Sequence, residues 1–289
     1  MILPLIKTMR LRQWPKNVFI LAAIVFDRQL TNPISVFHSI AGLFIFCILS
    51  SAVYIINDLV DIEADRQHPK KRFRPLASGR LSKSYALTAL VILLIVCFPC
   101  AYLLSPGFFL IALVYFGLNL LYSFWFKHIP LIDILILASF YVIRVGAGVT
   151  LIEVQRFSPW LYVVSTLLAL FIGFGKRRGE LLLSAGGSQT SRRVLEGYSI
   201  PFLDQLITIV SSTTIIAYSL YTFSAPNIPD NHAMMLTIPF VIYGIFRYLY
   251  LIQICKEGGA PDELFLTDRP LQITMALWGA AVLLIFYLF

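Results

Sequence analysis

The sequence predicts an all-α integral membrane protein with nine candidate membrane-spanning helices. Of its 289 residues, 58% are hydrophobic and only 13% are charged, whereas a soluble domain of this size carries about 25% charged residues. Mean hydropathy is +0.81. Apolar runs of about 17–25 residues, the length that spans a bilayer, recur along nearly the whole chain. Little of the chain remains for a soluble domain, so we predict a single transmembrane domain, residues 1–289.

The predicted spans follow one another with mostly short connections. In chain order they are 16–26, 34–62, 83–104, 107–126, 130–153, 159–176, 200–223, 233–254 and 270–289. The first is short and weakly apolar. The second runs past its apolar part into a cluster of carboxylates, and because charge facing lipid is costly, we expect this end to project into a cavity or the cytosol. Two polar segments, about 66–82 and 176–199, are predicted as cytoplasmic loops that cap the site.

The distribution of basic residues predicts the orientation. With Met1 inside, the outer loops carry only Arg28 and Arg156. The inner segments carry Lys7, Arg10, Arg12, Lys16, the cluster from Arg66 to Lys83, Lys127, Lys176 to Arg178, Arg192, Arg193, Lys256 and Arg269. Because short loops rich in Lys and Arg stay in the cytoplasm, we predict an N-in/C-out topology. The net charge of +8 then reflects orientation and contact with anionic lipid, and no nucleic-acid partner is predicted.

Three aspartates follow the second apolar run at helical spacing. Asp58, Asp61 and Asp65 fall on one face of a helix, with Asn57 beside them. Like charges on one helix face repel, so the cluster makes sense if a divalent cation lies between them. Magnesium prefers such oxygen ligands and completes its shell with waters and phosphate oxygens. We predict Asn57 and the three aspartates as catalytic residues and the aspartates as magnesium ligands; the alternative is a solvated helix end that pairs with nearby basic residues.

Basic residues lie just downstream of the aspartates and near the N-terminus. The candidates for binding substrate phosphates are Lys16, Lys70, Lys71, Arg72 and Arg74. Guanidinium groups suit phosphate oxygens because they donate two parallel hydrogen bonds. The alternative is that these charges fix topology and touch anionic headgroups.

A second charged motif begins where the sixth predicted span ends. Its candidate substrate-binding residues are Lys176, Arg177, Glu180 and Tyr198. Lys176 and Glu180 are i, i+4 neighbours if the helix continues. The alternative is a basic stop that fixes topology after span six.

Arg144 lies inside the fifth predicted span, with Asp133 near the start of the same span. A guanidinium in the bilayer is expensive and normally faces a cavity or a partner. A structural salt bridge and a contact with a substrate phosphate both stay open, and we include Arg144 among the candidate substrate-binding residues.

The motif Asn57-Asp58-x-x-Asp61-x-x-x-Asp65, followed by Arg72-Phe73-Arg74-Pro75-Leu76-Ala77-Ser78-Gly79, resembles the first signature of the UbiA-type intramembrane prenyltransferase superfamily. Span count and topology fit that resemblance over the whole chain. It implies nine transmembrane helices around a central cavity and Mg²⁺ as the cofactor that helps to ionise a diphosphate substrate.

The second signature points to one branch of that superfamily. Where the aromatic prenyltransferases carry a second aspartate-rich motif, this chain has Gly175-Lys176-Arg177-Arg178-Gly179-Glu180 and then Glu196-Gly197-Tyr198. This pattern looks like the decaprenyl-phosphate phosphoribosyltransferases. Similar motifs are Arg12-Gln13-Trp14-Pro15-Lys16-Asn17, Gly258-Gly259-Ala260-Pro261-Asp262-Glu263-Leu264 and Asp268-Arg269.

The resemblance implies transfer of 5-phosphoribose from phosphoribosyl diphosphate to a polyprenyl phosphate, with release of diphosphate, for a cell-wall sugar precursor. It also implies a bacterial plasma (inner) membrane, with the site facing the cytoplasm and Glu180 or Tyr198 orienting ribose hydroxyls. The basic second motif agrees, because these substrates bring more anionic groups than a prenyl diphosphate and a hydroxybenzoate, and more anions need more cations.

Two other functions stay open. The first is a UbiA-type aromatic prenyltransferase that uses a prenyl diphosphate to make a quinone or haem precursor. The second is a lipid carrier or permease, which is disfavoured because polar residues gather at one face instead of breaking paired spans near mid-membrane. A homo-oligomer is compatible with the sequence, which does not determine the oligomeric state.

Overall fold

The structure is a computed structural model that describes residues 2–68, 71–153, 159–185, 193–225, 228–255, 264–265 and 267–288. Every regular element within these ranges is helical, and eight helices among them are long and apolar enough to cross a membrane. The prediction of an all-α integral membrane protein is confirmed, and the eight helices correspond to the second to ninth predicted spans.

The helices are numbered here in chain order. They are α1 Ile2–Met9, α2 Ala22–Phe26, α3 Pro33–Val60, α4 Ile62–Gln67, α5 Lys83–Leu104, α6 Pro106–Phe124, α7 Ile132–Val149, α8 Pro159–Ala185, α9 Ile200–Ser224, α10 Ile238–Gln253 and α11 Arg269–Leu288. Shorter 3-10 helices cover Leu11–Leu21, Lys71–Phe73, Phe126–His128, Arg193–Gly197 and Ala233–Thr237.

Polar caps define where several spans begin. The Asn32 side chain accepts the N–H of Ile34 at 3.0 Å and starts α3. Ser82, Ser105 and Ser199 cap α5, α6 and α9 in the same way. These caps satisfy backbone donors that have no partner inside the helix, and α3, α6 and α9 also carry proline in the first turn, where its missing N–H costs nothing.

The N-terminal segment differs from the prediction of a short span at 16–26. α1 ends at Met9, Arg10 has a left-handed backbone with φ 53°, and a 3-10 helix that contains Pro15 follows. This tighter helix packs closely on α7, where a Cβ at Gly148 would overlap the carbonyl oxygen of Ile20. The left-handed Arg10 and the 3-10 helix therefore break the segment, which does not continue as one α-helix.

The chain divides into two compact units, Met1–Phe126 with Ile143–Val154 and Lys127–Val142 with Gln155–Phe289. The sequence predicts one domain, which stays a prediction. Residues 132–142 of α7 belong to the second unit and residues 143–149 to the first. In the first unit α3 packs against α1, α5, α6 and the Leu11–Leu21 helix. In the second unit α8 packs along α9, and α10 packs on α9 and α11.

Close packing in the second unit brings the start of α7 to the middle of α8. A Cβ at Gly173 would lie 2.9 Å from the side chain of Ile134. Nearby, the rings of Phe171 and Tyr248 are 4.9 Å apart between centroids. Because residues i and i+4 share a helix face, Arg177 lies one turn beyond Gly173 on the face that meets the start of α7.

The segment predicted as a loop at 176–199 is helical in its first part. α8 continues through the charged motif to Ala185, and a 3-10 helix covers Arg193–Gly197. The helix can continue because Arg177 and Arg178 find buried acceptors along it, described below, and Lys, Arg and Glu are good helix formers. Residues 186–192 of the predicted loop lie outside the described residues.

Candidate active site

The end of α3 carries two buried carboxylates that share one arginine. Asp58 and Asp65 are only 2% and 3% exposed. The Nη1 atom of Arg74 lies 3.3 Å from Oδ1 of Asp58 and 2.6 Å from Oδ2 of Asp65. Arg10 also donates a hydrogen bond to Oδ1 of Asp58. Two predicted metal ligands and one predicted phosphate-binding residue therefore lie together, along with an arginine that the sequence did not single out.

A compact loop after α4 positions Arg74. Its turn closes with the N–H of Leu81 donating to the carbonyl of Pro75 at 3.0 Å, and Gly79 takes φ +76°, a left-handed conformation that glycine adopts without steric cost. Leu76 and Leu81 are buried against the end of α3. The apolar side chains anchor the loop, so the guanidinium of Arg74 is directed at the carboxylates.

Arg10 reaches the same carboxylate from the N-terminal segment. Its guanidinium lies over the ring of Tyr54, 4.8 Å from the centroid, one helical turn before Asp58 on α3. Arg10 lies at the end of α1, where its left-handed backbone changes the direction of the chain. This change of direction places its side chain beside Tyr54 and Asp58. Sequence reasoning counted Arg10 only as a charge that fixes topology. The available signal was electrostatic, because clustered carboxylates at a span end need nearby counter-charges.

The other two members of the acidic motif have different surroundings. Asn57 accepts a hydrogen bond from the hydroxyl of Ser123 on α6 through its Oδ1 atom. Asp61 lies at the junction of α3 and α4, half-buried, and its side chain does not cap α4. Among the described residues no group of three or more His, Cys, Asp or Glu side chains is close enough to hold a metal ion. The structure thus brings two of the three predicted metal ligands, Asp58 and Asp65, to one cationic group.

The chemistry of this cluster nonetheless fits magnesium. The candidate donors are hard carboxylate and amide oxygens, the type that magnesium selects. A positively charged nitrogen already lies between Asp58 and Asp65 within hydrogen-bonding distance of both. Metal binding here would require Arg74 to leave and both carboxylates to draw in to the roughly 2.0–2.1 Å that magnesium requires. Asp61 has the right position in sequence to add a third oxygen, directly between the two.

The remaining predicted phosphate-binding residues of this unit are more open to solvent. Arg72 is exposed and stacks on Phe73, 4.9 Å from the ring centroid. Lys71 and Lys16 are half-buried, Lys71 in the Lys71–Phe73 helix and Lys16 in the N-terminal 3-10 helix. Lys70 lies outside the described residues. Long basic side chains with solvent access can reach a diphosphate, which is the role that the sequence predicts for them.

The second unit contains a separate ion-pair network around Asp133. This carboxylate is fully buried at the start of α7 and accepts from Nε of Arg177 at 2.6 Å and from the hydroxyl of Tyr198 at 2.6 Å. Arg177, 1% exposed, also donates to Glu180 at 2.6 Å through Nη1. The hydroxyl of Tyr198 accepts the N–H of Leu131 at 2.6 Å. Two predicted site residues, Arg177 and Tyr198, therefore meet on Asp133, and a third, Glu180, joins the network through Arg177. Sequence reasoning mentioned Asp133 only as a neighbour of Arg144 in the chain.

The network also sets the protonation of Tyr198. Burial and the hydrogen bond to Asp133 raise the pKa of the Tyr198 hydroxyl above its ordinary value. The hydroxyl therefore stays protonated at neutral pH and keeps donating to Asp133. The neighbouring Lys176 is half-buried in α8. Next to it, Arg178 donates to Asp204 at 2.6 Å and to the carbonyl of Ile252 at 2.8 Å, which ties α8 to α9 and α10.

Arg144 is held within a buried polar network of the first unit. Its Nε donates to Oδ1 of Asn17 at 2.8 Å, and its Nη2 donates to the hydroxyl of Tyr115 at 3.0 Å. Asn17 is fully buried and donates in turn to Ser50 at 3.1 Å. Arg144 thus anchors the Leu11–Leu21 helix, the element that carries Lys16, through neutral hydrogen-bond partners.

Within its described residues the protein is thus an all-helical membrane protein in which carboxylates at the end of the longest span are paired with guanidinium groups. The chain belongs to the UbiA prenyltransferase family, whose sequence model matches residues 17–177. The resemblance predicted from the signature motifs is therefore confirmed, and the chain is an enzyme of the transferase class.

Relatives in the family are similar over nearly the full chain. The chain is 32% identical to a decaprenyl-phosphate phosphoribosyltransferase of Corynebacterium glutamicum, over 98% of this chain and 87% of that protein. It is 33% identical to a decaprenyl-phosphate phosphoribosyltransferase of Mycobacterium tuberculosis, over 96% of this chain and 92% of that protein. The similarity to this branch of the family agrees with the branch that the second motif predicts.

Solved structures share the fold. A UbiA homologue from Archaeoglobus fulgidus bound to GPP and Mg²⁺ has a TM-score of 0.74 with 21% sequence identity, covering 98% of this chain and 99% of that chain. An apo UbiA homologue from Aeropyrum pernix K1 has a TM-score of 0.68 with 15% identity, covering 94% and 97% of the two chains. The similarity extends over the whole chain and concerns the fold.

Proposed function

We propose that the protein transfers 5-phosphoribose from 5-phosphoribosyl 1-diphosphate to a polyprenyl phosphate and releases diphosphate. The observation that favours this reaction over prenyl transfer is the charge balance of the second motif. Asp133 and Glu180 are both bound by the buried Arg177, and Lys176 adds a further cation. A motif without excess negative charge suits a donor and an acceptor that bring several phosphates, and the near-full-length similarity to decaprenyl-phosphate phosphoribosyltransferases supports the same choice.

The acidic end of α3 is the proposed metal-binding element. Asp58, Asp61 and Asp65, with Asn57 assisting, would hold magnesium, which would stabilise the negative charge of the departing diphosphate. Asp58 and Asp65 are prepared for a cation because they already converge on the Arg74 guanidinium. Asn57 is oriented by its hydrogen bond with Ser123 on α6.

Basic residues are proposed to bind the phosphate groups. Those with solvent access among the described residues are Lys16, Lys71, Arg72, Arg74 and Lys176. Lys70, which lies outside the described residues, is proposed from its place in the sequence. Arg177 and Arg144 are too buried for that role as first predicted, and we assign them indirect ones. Arg177 holds Glu180 in place, and Arg144 holds the segment that carries Lys16. Glu180 is then the group of this motif that orients ribose hydroxyls, while Tyr198 keeps Asp133 aligned.

The proposed reaction needs positioning more than acid–base catalysis. The bond between ribose C1 and the diphosphate oxygen breaks, its electron pair leaves with the diphosphate, and an oxygen of the lipid phosphate forms the new bond to C1. A phosphate monoester is largely ionised near pH 7, with a second pKa of about 6, so the acceptor requires no strong general base. Alignment of the two substrates and stabilisation of the leaving group would supply most of the rate.

The membrane assignment extends the proposal. With Met1 inside, the basic cluster and the acidic end of α3 would face the cytoplasm of a bacterial inner membrane, where a sugar phosphate donor is made. The lipid product would supply pentose for a cell-wall polymer.

The test is mass spectrometry of the lipid product. Purified protein in lipid nanodiscs is given polyprenyl phosphate, magnesium and, in separate reactions, phosphoribosyl diphosphate or a prenyl diphosphate with hydroxybenzoate. We expect a polyprenyl phosphoribosyl product from the first reaction only. A prenylated aromatic product, with no reaction of the lipid phosphate, would overturn the proposal in favour of aromatic prenyl transfer.

A further inference from the structure

We propose that Arg10 and Arg74 occupy the cation position at the end of α3 when no metal is bound, and leave it when magnesium arrives with a diphosphate. Magnesium and diphosphate would then bind cooperatively, with the two arginines as the coupling element. This inference rests on the proposed function, since it concerns the same acidic site. It assigns a role to Arg10, which no sequence motif indicated.

The first argument is that the arginines neutralise the site. Two carboxylates, Asp58 and Asp65, are paired with two guanidinium groups, Arg10 and Arg74. The two arginines cancel the charge of this carboxylate pair and leave only that of Asp61 in the proposed metal site, so a free divalent cation is attracted much less than by three unpaired carboxylates. A magnesium ion that entered while both arginines stayed would also lie beside two positive charges, and like charges in a partly buried site repel.

The second argument is a difference in burial between the partners. The side chains of Asp58 and Asp65 are 2% and 4% exposed, whereas those of Arg10 and Arg74 are 30% and 28% exposed. The carboxylates are therefore fixed by the packing of α3 and α4, and the arginines approach them from the solvent side. Exchange requires movement of the arginines only, and their long side chains can swing outward without unpacking a helix.

The third argument is chemical. A guanidinium that leaves a carboxylate needs another anion, and a diphosphate offers oxygens in the geometry that guanidinium groups bind with two parallel hydrogen bonds. Arg10 is held near the site by the ring of Tyr54, so it does not have to move far. The diphosphate therefore draws the two arginines away from the metal position. The metal in turn binds the carboxylates, which then no longer hold the arginines.

Linkage makes this exchange measurable. If diphosphate increases the affinity for magnesium by some factor, magnesium must increase the affinity for diphosphate by the same factor. Removing the charge of Arg10 should change the two affinities in opposite directions. Binding of metal alone should tighten, because a competitor is gone, while binding of diphosphate in the presence of metal should weaken, because a ligand is gone.

The experiment measures Mn²⁺ binding by the loss of its free-ion EPR signal, and binding of inorganic pyrophosphate by calorimetry with and without Mg²⁺. It uses the full-length wild type, Arg10→Gln, Arg10→Lys and Arg74→Gln. The control is Lys7→Gln, which removes one charge from the exposed side of α1 near Arg10. For Arg10→Gln we expect Mn²⁺ alone to bind about tenfold more tightly and pyrophosphate with Mg²⁺ to bind about tenfold more weakly, within the usual range of coupling.

The other variants make the result specific. Arg10→Lys keeps the charge, and its affinities for Mn²⁺ and for pyrophosphate should lie between those of wild type and Arg10→Gln. Arg74→Gln should change both affinities in the same directions as Arg10→Gln, and Lys7→Gln should match wild type. A gel-filtration profile identical to wild type shows that a variant is folded.

Two negative outcomes are distinguishable. If wild type and variants bind Mn²⁺ and Arg10→Gln lowers both affinities or leaves both unchanged, the exchange is wrong and the proposed metal site stands. If no protein binds Mn²⁺ with or without pyrophosphate, the metal-dependent function itself is overturned, and the exchange with it.

Discussion

Replacing Asp133 with alanine should destabilise the second unit more than any other single change to its polar network. The substitution removes the fully buried acceptor of both Arg177 and Tyr198. Arg177, which is 1% exposed, would keep its ion pair with the partly exposed Glu180. The charge of Arg177 would then lose its fully buried counter-charge.

The magnitude follows from these two contacts. Removing one partner of a buried ion pair costs about 3–5 kcal/mol, because the other charge stays buried. The lost acceptor of the Tyr198 hydroxyl adds about 1 kcal/mol, not strictly additive because both bonds share one carboxylate. A loss of this size lowers the unfolding midpoint by on the order of 10 °C for a unit of this size.

The assay is thermal unfolding in detergent, followed by intrinsic fluorescence and by the fraction that remains monodisperse after heating. Tyr198→Phe is the matched variant. It removes the bond to Asp133 and the acceptor of the Leu131 N–H, so it should cost about 1–3 kcal/mol. If Asp133→Ala unfolds at the wild-type temperature, or Tyr198→Phe costs more than Asp133→Ala, the network is not the stabilising element described.

Two further predictions concern packing and pH. Gly148→Ala should destabilise the first unit by about 1–3 kcal/mol, because the added Cβ would overlap the carbonyl of Ile20. The control is Gly117→Ala, whose added Cβ would meet nothing within 4 Å. Equal thermal midpoints for the two variants would contradict the close approach of Gly148 to Ile20. Arg247, which hydrogen-bonds Asp268 at 2.7 Å, lowers the pKa of that carboxyl. The ion pair therefore stabilises the folded protein fully at a pH above the ordinary aspartate pKa of about 3.9. This stabilisation is lost as the pH falls through the lowered pKa of Asp268 in the folded protein. Asp268→Asn should therefore unfold at a lower temperature than wild type at pH 7 and converge with it in acid, and a difference independent of pH would contradict the charge pair.

The sequence predicted most of the helices, because long apolar runs and their caps are local signals. It also predicted that Asp58, Asp65 and Arg74 belong to one site, since they lie within one helical face and the loop that follows it. The break at Arg10 was not predictable from hydropathy. It depends on a left-handed residue and on the close packing of the Leu11–Leu21 helix on α7.

The contacts that sequence reasoning missed join residues far apart in the chain. Arg10 and Asp58 are 48 positions apart, and Asp133 is 44 positions from Arg177 and 65 from Tyr198. Local spacing carries no signal for such pairs, so Arg177 was predicted as an open phosphate ligand, although it is buried in the structure. The indication was the presence of Asp133 in a span, because a carboxylate in the bilayer needs a partner.

The measurement that tests the central claim most directly is magnesium-dependent release of diphosphate from phosphoribosyl diphosphate by Asp61→Asn, compared with Glu63→Gln. Both substitutions remove one negative charge from the α3–α4 segment, but Glu63 is exposed and pairs with Arg66 at 3.0 Å. We expect Asp61→Asn to lower turnover at least about 100-fold, the scale on which loss of one strong transition-state interaction acts, and Glu63→Gln to match wild type. Near-wild-type turnover of Asp61→Asn would show that the acidic end of α3 does not hold the metal and leaving group.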